Sequence, residues 1–153
     1  MKFRMVDQIL AWEPGRLIRG TKAVSFEEYC APLPLGSAPE LPASLALESL
    51  LQLGNWLIML STDFTRMGLS TALERVEFVS ALRPGQRMTT ELSVQEKNET
   101  DWLLSGCGET RGREIVRVDG MRLQLRPLAS YFRASDLRVL FSEICRPQAE
   151  VRP

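Results

Sequence analysis

The chain has 153 residues, a length that fits one domain, and 44% hydrophobic content, enough to bury a core. Its 19 basic and 19 acidic side chains cancel, which excludes the strongly basic footprint of a nucleic-acid binder. It contains no histidine, which removes Ser-His-Asp and Cys-His nucleophilic catalysis, histidine metal sites and imidazole acid–base chemistry.

The first ten residues alternate charged and apolar side chains and show no signal-peptide core. Residues 5–12 read as a strand, followed by Glu13-Pro14-Gly15 and a second strand over residues 16–24. Proline then glycine at the centre of a turn suits type II geometry, with glycine supplying the positive φ. Residues 26–29 read as a helical turn. Residues 30–42 carry Pro32, Pro34, Pro39 and Pro42, so they form a loop and not a helix.

Next comes the strongest helical signal. Ala43 and Ser44 open it after Pro42, and Leu45, Leu47, Leu50, Leu51, Leu53, Trp56, Leu57 and Ile58 surround it. A helix apolar nearly all round is a buried central helix. Its apolar run, residues 45–60, is broken by Glu48, Gln52 and Asn55 and is short for a bilayer of about 30 Å, so no membrane span is expected. Residues 61–68 read as its exit loop.

Four strands are expected after it. The first covers residues 74–82, and Arg83-Pro84-Gly85-Gln86 repeats the proline–glycine turn. The second covers residues 88–95, with Met88, Leu92 and Val94 on one face and Thr89, Glu91, Ser93 and Gln95 on the other. After a turn at residues 98–101, the third covers residues 102–110. The last, residues 114–126, shifts its apolar phase from Val116 and Val118 to Met121, Leu123 and Leu125. A one-residue shift beside Gly120 predicts a β-bulge.

A short amphipathic helix, starting at Ser135 or Asp136 and ending at Ile144, closes residues 1–147 as a single domain. Residues 148–153 read as a tail. Since one buried helix needs more cover than a flat sheet offers, the sheet must curl around it. That makes the fold class α+β and favours dimerisation to cover what remains.

Two features bear on chemistry. Ser44, Glu48, Gln52 and Asn55 share one face of the central helix. Such a stripe is equally the mark of a solvent face and of a carboxylate held in an apolar cleft, where desolvation would fit it for acid–base work. At the helix start, the amides of Ala43 and Ser44 are free and sit at the positive end of the dipole, a seat for a carbonyl oxygen. Cys30, Cys107 and Cys145 lie far apart without metal-ligand spacing, which points to a reducing cytoplasm; no metal or cofactor is expected. Lys2, Lys22 and Lys97 are the only lysines, and the abundant arginine reads as solvated surface.

At this point the sequence resembles a known family. Val6-Asp7-Gln8-Ile9-Leu10, Glu13-Pro14-Gly15-Arg16 and Thr21-Lys22-Ala23-Val24-Ser25 resemble the opening hairpin of the 3-hydroxyacyl-acyl-carrier-protein dehydratases of the FabA/FabZ type. The run from Pro39 to Gln52 is similar to that family's loop and central helix. Val76-Glu77-Phe78 and Arg83-Pro84-Gly85-Gln86 are similar to the strand and turn that follow.

The resemblance implies a hot-dog fold, an antiparallel sheet of about six strands around one helix, with two acyl tunnels at a dimer interface. It puts Glu48 on the family's catalytic acid, Gln52 on the glutamine one turn later, and Ala43 on the glycine whose amide polarises the thioester carbonyl. The family's histidine falls on Pro34, and the proline shortly after it on Gly36. Glu48 would then have to take the α-proton and help the hydroxyl leave by itself, so dehydration by this chain alone is not expected. The expected partner is an acyl-carrier-protein or coenzyme A thioester, bound by a homodimer or by a heterodimer with an active homologue. The competing readings are a hot-dog thioesterase that uses Glu48 and Ala43, and a non-catalytic structural subunit.

Overall fold

Both proline–glycine turns form as their chemistry requires in a computed structural model that describes residues 4–27 and 38–145. Strand β1 (Gln8–Glu13) turns into β2 (Leu17–Ala23) with Gly15 at φ 66° and the Arg16 amide donating to the Glu13 carbonyl at 3.0 Å. After helix α1 (Ala43–Ser61) and strand β3 (Arg66–Phe78), the second turn carries Gly85 at φ 86°, with the Gln86 amide donating to Arg83 at 3.0 Å. Strands β4 (Arg87–Lys97), β5 (Asp101–Thr110) and β6 (Arg113–Pro127) follow, then a 3₁₀ turn (Leu128–Ser130) and helix α2 (Ala134–Ile144).

The six strands form one antiparallel sheet in the order β1-β2-β4-β5-β6-β3, and α1 packs against five of them, β2 to β6. Although α1 is long and apolar enough to cross a membrane, it is the core helix of this fold. Leu50, Leu53, Leu57 and Ile58 on it are fully buried with Ile18, Met88, Leu92, Leu104, Val118 and Met121 of the sheet. Each such side chain contributes roughly 2 kcal/mol of transfer free energy.

The bulge expected in the last strand is present. β6 offers Asp119 and Gly120 where β5 offers only Ser105, Gly120 adopts φ 69°, and its amide donates to the Ser105 hydroxyl at 3.0 Å. The extra residue carries the apolar phase from Val118 to Met121 while both stay on the helix side.

The strand expected at residues 74–82 is displaced. β3 begins at Arg66, inside the expected exit loop, and ends at Phe78. Most of its side chains are exposed, so it lacks the in–out alternation that marks a half-buried strand. Its order comes from the long ladder to β6, interrupted where Thr71 bulges out between Ser70 and Ala72. The exit from α1 is correspondingly short: Asp63 and Phe64 take φ 50° and 58°, and the Phe64 amide returns to the Met59 carbonyl at 2.8 Å. Beyond β3, Leu82 is buried, and its carbonyl accepts the Leu41 amide at 2.8 Å, which anchors the segment that leads into α1.

Helix α2 lies against the molecule through Leu137, Leu140 and Phe141. The Phe141 ring meets Trp12, Trp56 and Phe64 at centroid distances of 6.2–6.4 Å, and a bridge between Ile9 and Cys145 ties down the helix end. Phe26 and Glu27 form a turn. Tyr29, Cys30, Pro34, Gly36 and the expected tail at 148–153 lie outside the described residues.

Candidate functional site

The four polar residues on one face of α1 do not share one environment. Ser44, in the first turn, is exposed, whereas Glu48, Gln52 and Asn55 are half-buried. The Gln52 carbonyl oxygen accepts the Met5 amide at 2.8 Å, and its NH₂ group donates to Glu48 Oε1 at 3.0 Å. A backbone amide can only donate, so Met5 turns the Gln52 oxygen towards itself and the NH₂ towards the carboxylate. Asn55 Oδ1 accepts the Gly68 amide of β3 at 2.9 Å. Two of the four residues therefore hold backbone of neighbouring segments.

Glu48 lines a cleft of about 170 Å³ with Leu51, Gln52, Asn55, Gly68, Ser70 and Leu123. Its Oε2 accepts no hydrogen bond from the described residues, so a lone pair remains for water or a ligand. A half-buried carboxylate with one oxygen committed and one available can accept a proton from a bound molecule or orient a water.

The start of α1 has no side-chain cap, since Pro42 occupies that position. The Pro42 carbonyl accepts the amides of Leu45 and Ala46, while those of Ala43 and Ser44 have no acceptor among the described residues. Ala43 lines a separate cavity of about 180 Å³ with Phe78, Val79, Leu82 and Ile115. Glu48 and Ala43, assigned by the resemblance to one reaction centre, thus open onto different cavities of the chain.

Sequence reasoning missed a cavity of about 560 Å³ between α1 and α2. Trp56, Met59, Met67, Leu137 and Leu140 line it, Arg4 and Asp7 stand with them, and Gln52 and Asn55 belong to both this cavity and the Glu48 cleft. These residues are scattered over four segments, and no local pattern connects them.

The groups with displaced pKa values, Cys107, Glu114 and Arg117, lie elsewhere, on β5 and β6. Burial pushes the Cys107 thiol up, and the neighbouring Arg117 opposes that shift in part. The Glu114 carboxyl is held below its ordinary value by hydrogen bonds from Arg117, at 2.8 and 2.5 Å, and the Arg117 guanidinium is raised in return. None of these groups lines the Glu48 cleft.

Residues 1–119 match the family model described as the FabA-like domain. The chain is 31% identical over 120 residues to a 3-hydroxyacyl-[acyl-carrier-protein] dehydratase FabZ from Oleidesulfovibrio alaskensis, covering 76% of this chain and 78% of that protein. It is 24% identical to a FabZ from Campylobacter lari, covering 76% and 84% of the two chains.

Among solved structures it is similar to smu.793 from Streptococcus mutans bound to acetyl CoA. The TM-score is 0.64 at 9% identity, over 83% of this chain and 93% of that one. It is also similar to the PaaI protein of the E. coli phenylacetic acid degradation operon, with a TM-score of 0.58 at 13% identity over 76% and 81%. The architecture in common is the hot-dog fold.

Proposed function

Since the chain belongs to the FabA-like family, we propose that it binds acyl thioesters beside Glu48 and does not by itself dehydrate 3-hydroxyacyl thioesters. The observation that carries this reading is a carboxylate positioned by Gln52 and Met5 in a chain with no histidine. Dehydration removes a proton from the carbon next to the carbonyl and protonates the departing hydroxyl, and the two events fall on opposite ends of one bond. Glu48 is a single group, and Pro34, at the histidine's place by resemblance, has no side-chain proton to exchange. The ligand is carried by an acyl carrier protein or by coenzyme A.

Hydrolysis is the second reading, and the free Glu48 Oε2 favours it. There the carboxylate would take a proton from water as the oxygen attacks the thioester carbonyl; the carbon–sulfur bond then breaks and the proton passes to the leaving thiolate. One carboxylate suffices for that sequence.

Assays on the purified chain separate the readings. With 3-hydroxybutyryl-coenzyme A, formation of the unsaturated product should run about 10² to 10⁴ below a competent dehydratase. With saturated acyl-coenzyme A, thiol release that Glu48→Gln lowers about 10²-fold or more, with ligand affinity retained, would establish hydrolysis. Rapid dehydration by the unmodified chain alone would overturn the proposal.

A further inference from the structure

We infer that the cavity between α1 and α2 receives the distal end of the acyl chain, and that α2 is the wall that sets the length accepted. This rests on the acyl-thioester reading above. Gln52 and Asn55 line both the Glu48 cleft and this cavity, so the two adjoin along α1 at these side chains. The lining, Trp56, Met59, Met67, Leu137 and Leu140, suits an aliphatic occupant, and the two methionines can adapt to a flexible chain. Arg4 and Asp7 are the charged members of the lining, and the Asp7 carboxylate is already held by Lys22 and the Ala23 amide.

Its volume of about 560 Å³ falls in the range of small-molecule sites. From Glu48 to Met59 the helix advances about 16 Å. A fully extended chain covers about 1.2 Å per bond, so that distance corresponds to about a dozen carbons. Helix α2 (Ala134–Ile144) lies beyond residues 1–119, the part that matches the family model, so this wall belongs to a portion of the chain outside that match.

The test is calorimetric titration of the full chain with S-butyl- and S-dodecyl-pantetheine, thioethers that cannot be hydrolysed. Dodecyl should bind at least about 100-fold tighter than butyl, because each buried methylene is worth up to about fourfold. Leu140→Trp, and independently Leu137→Trp, should fill the cavity and weaken dodecyl binding about tenfold or more, with butyl affinity held.

A measurement on the unmodified chain needs no substitution. Bromine at the tail end of the dodecyl ligand should quench tryptophan emission more than bromine at the end of the butyl ligand, through Trp56. Equal affinities for the two chain lengths, or no excess quenching, would overturn the inference and leave the thioester reading intact. Failure of both ligands to bind would remove the thioester reading itself.

Discussion

Asp7 stands 3.6 Å from the ammonium of Lys22, a side chain only 2% exposed on β2, and its other oxygen accepts the Ala23 amide at 2.6 Å. A charge this deep needs compensation, and Asp7 supplies part of it. Asp7→Ala should therefore destabilise the protein by about 3 kcal/mol in urea unfolding, and adding Lys22→Met should recover part of the loss. A double variant less stable than Asp7→Ala would contradict a role for Asp7 in compensating the Lys22 charge. Glu48 belongs to the same scale. Its position on a polar face was readable from spacing, but the direction of Gln52 was not, because the Met5 amide that orients it is 47 residues away.

Helix α2 shows how an element can be legible in sequence and still depend on distant packing. Its apolar spacing marks it, but it has 11 residues and no side-chain N-cap, too little to persist alone in water. Its hold on the molecule is Phe141 among Trp12, Trp56 and Phe64. Phe141→Ala should cost about 2 kcal/mol, less than a fully buried phenylalanine because this ring is half-buried. Hydrogen exchange should rise first over residues 134–145, and uniform acceleration across the chain would contradict a local anchor. β3 is the opposite case. Its exposed side chains hid it from periodicity, and only the β6 ladder defines its start.

At the scale of the whole molecule, β1 and β3 form the open edges of the sheet. β3 runs for 13 residues, with Leu69 46% and Leu73 36% exposed, and Phe78 and Val79 stand 53% exposed at its end. A long apolar edge is a pairing surface unless something covers it. Sedimentation at micromolar concentration should give a dimer, and Leu69→Lys with Leu73→Lys should shift it to monomer without loss of secondary structure. A monomeric unmodified chain would defeat this expectation. A second copy would also bear on the separation of Ala43 from Glu48, since Phe78 and Val79 line the Ala43 cavity.

By itself the sequence determined the features whose causes are local. These are the two proline–glycine turns, the apolar helix, the bulge at Gly120, the closing helix, and the absence of any imidazole to complete a two-group acid–base pair. Backbone stereochemistry, helical periodicity and residue identity act within a few positions, so they can be read along the chain. Tertiary structure decided where β3 begins, which way Gln52 turns, that Ala43 and Glu48 line separate cavities, and that α1 and α2 enclose a third. Each of these depends on contacts between segments far apart in sequence, and no local pattern encodes the partner across such a gap.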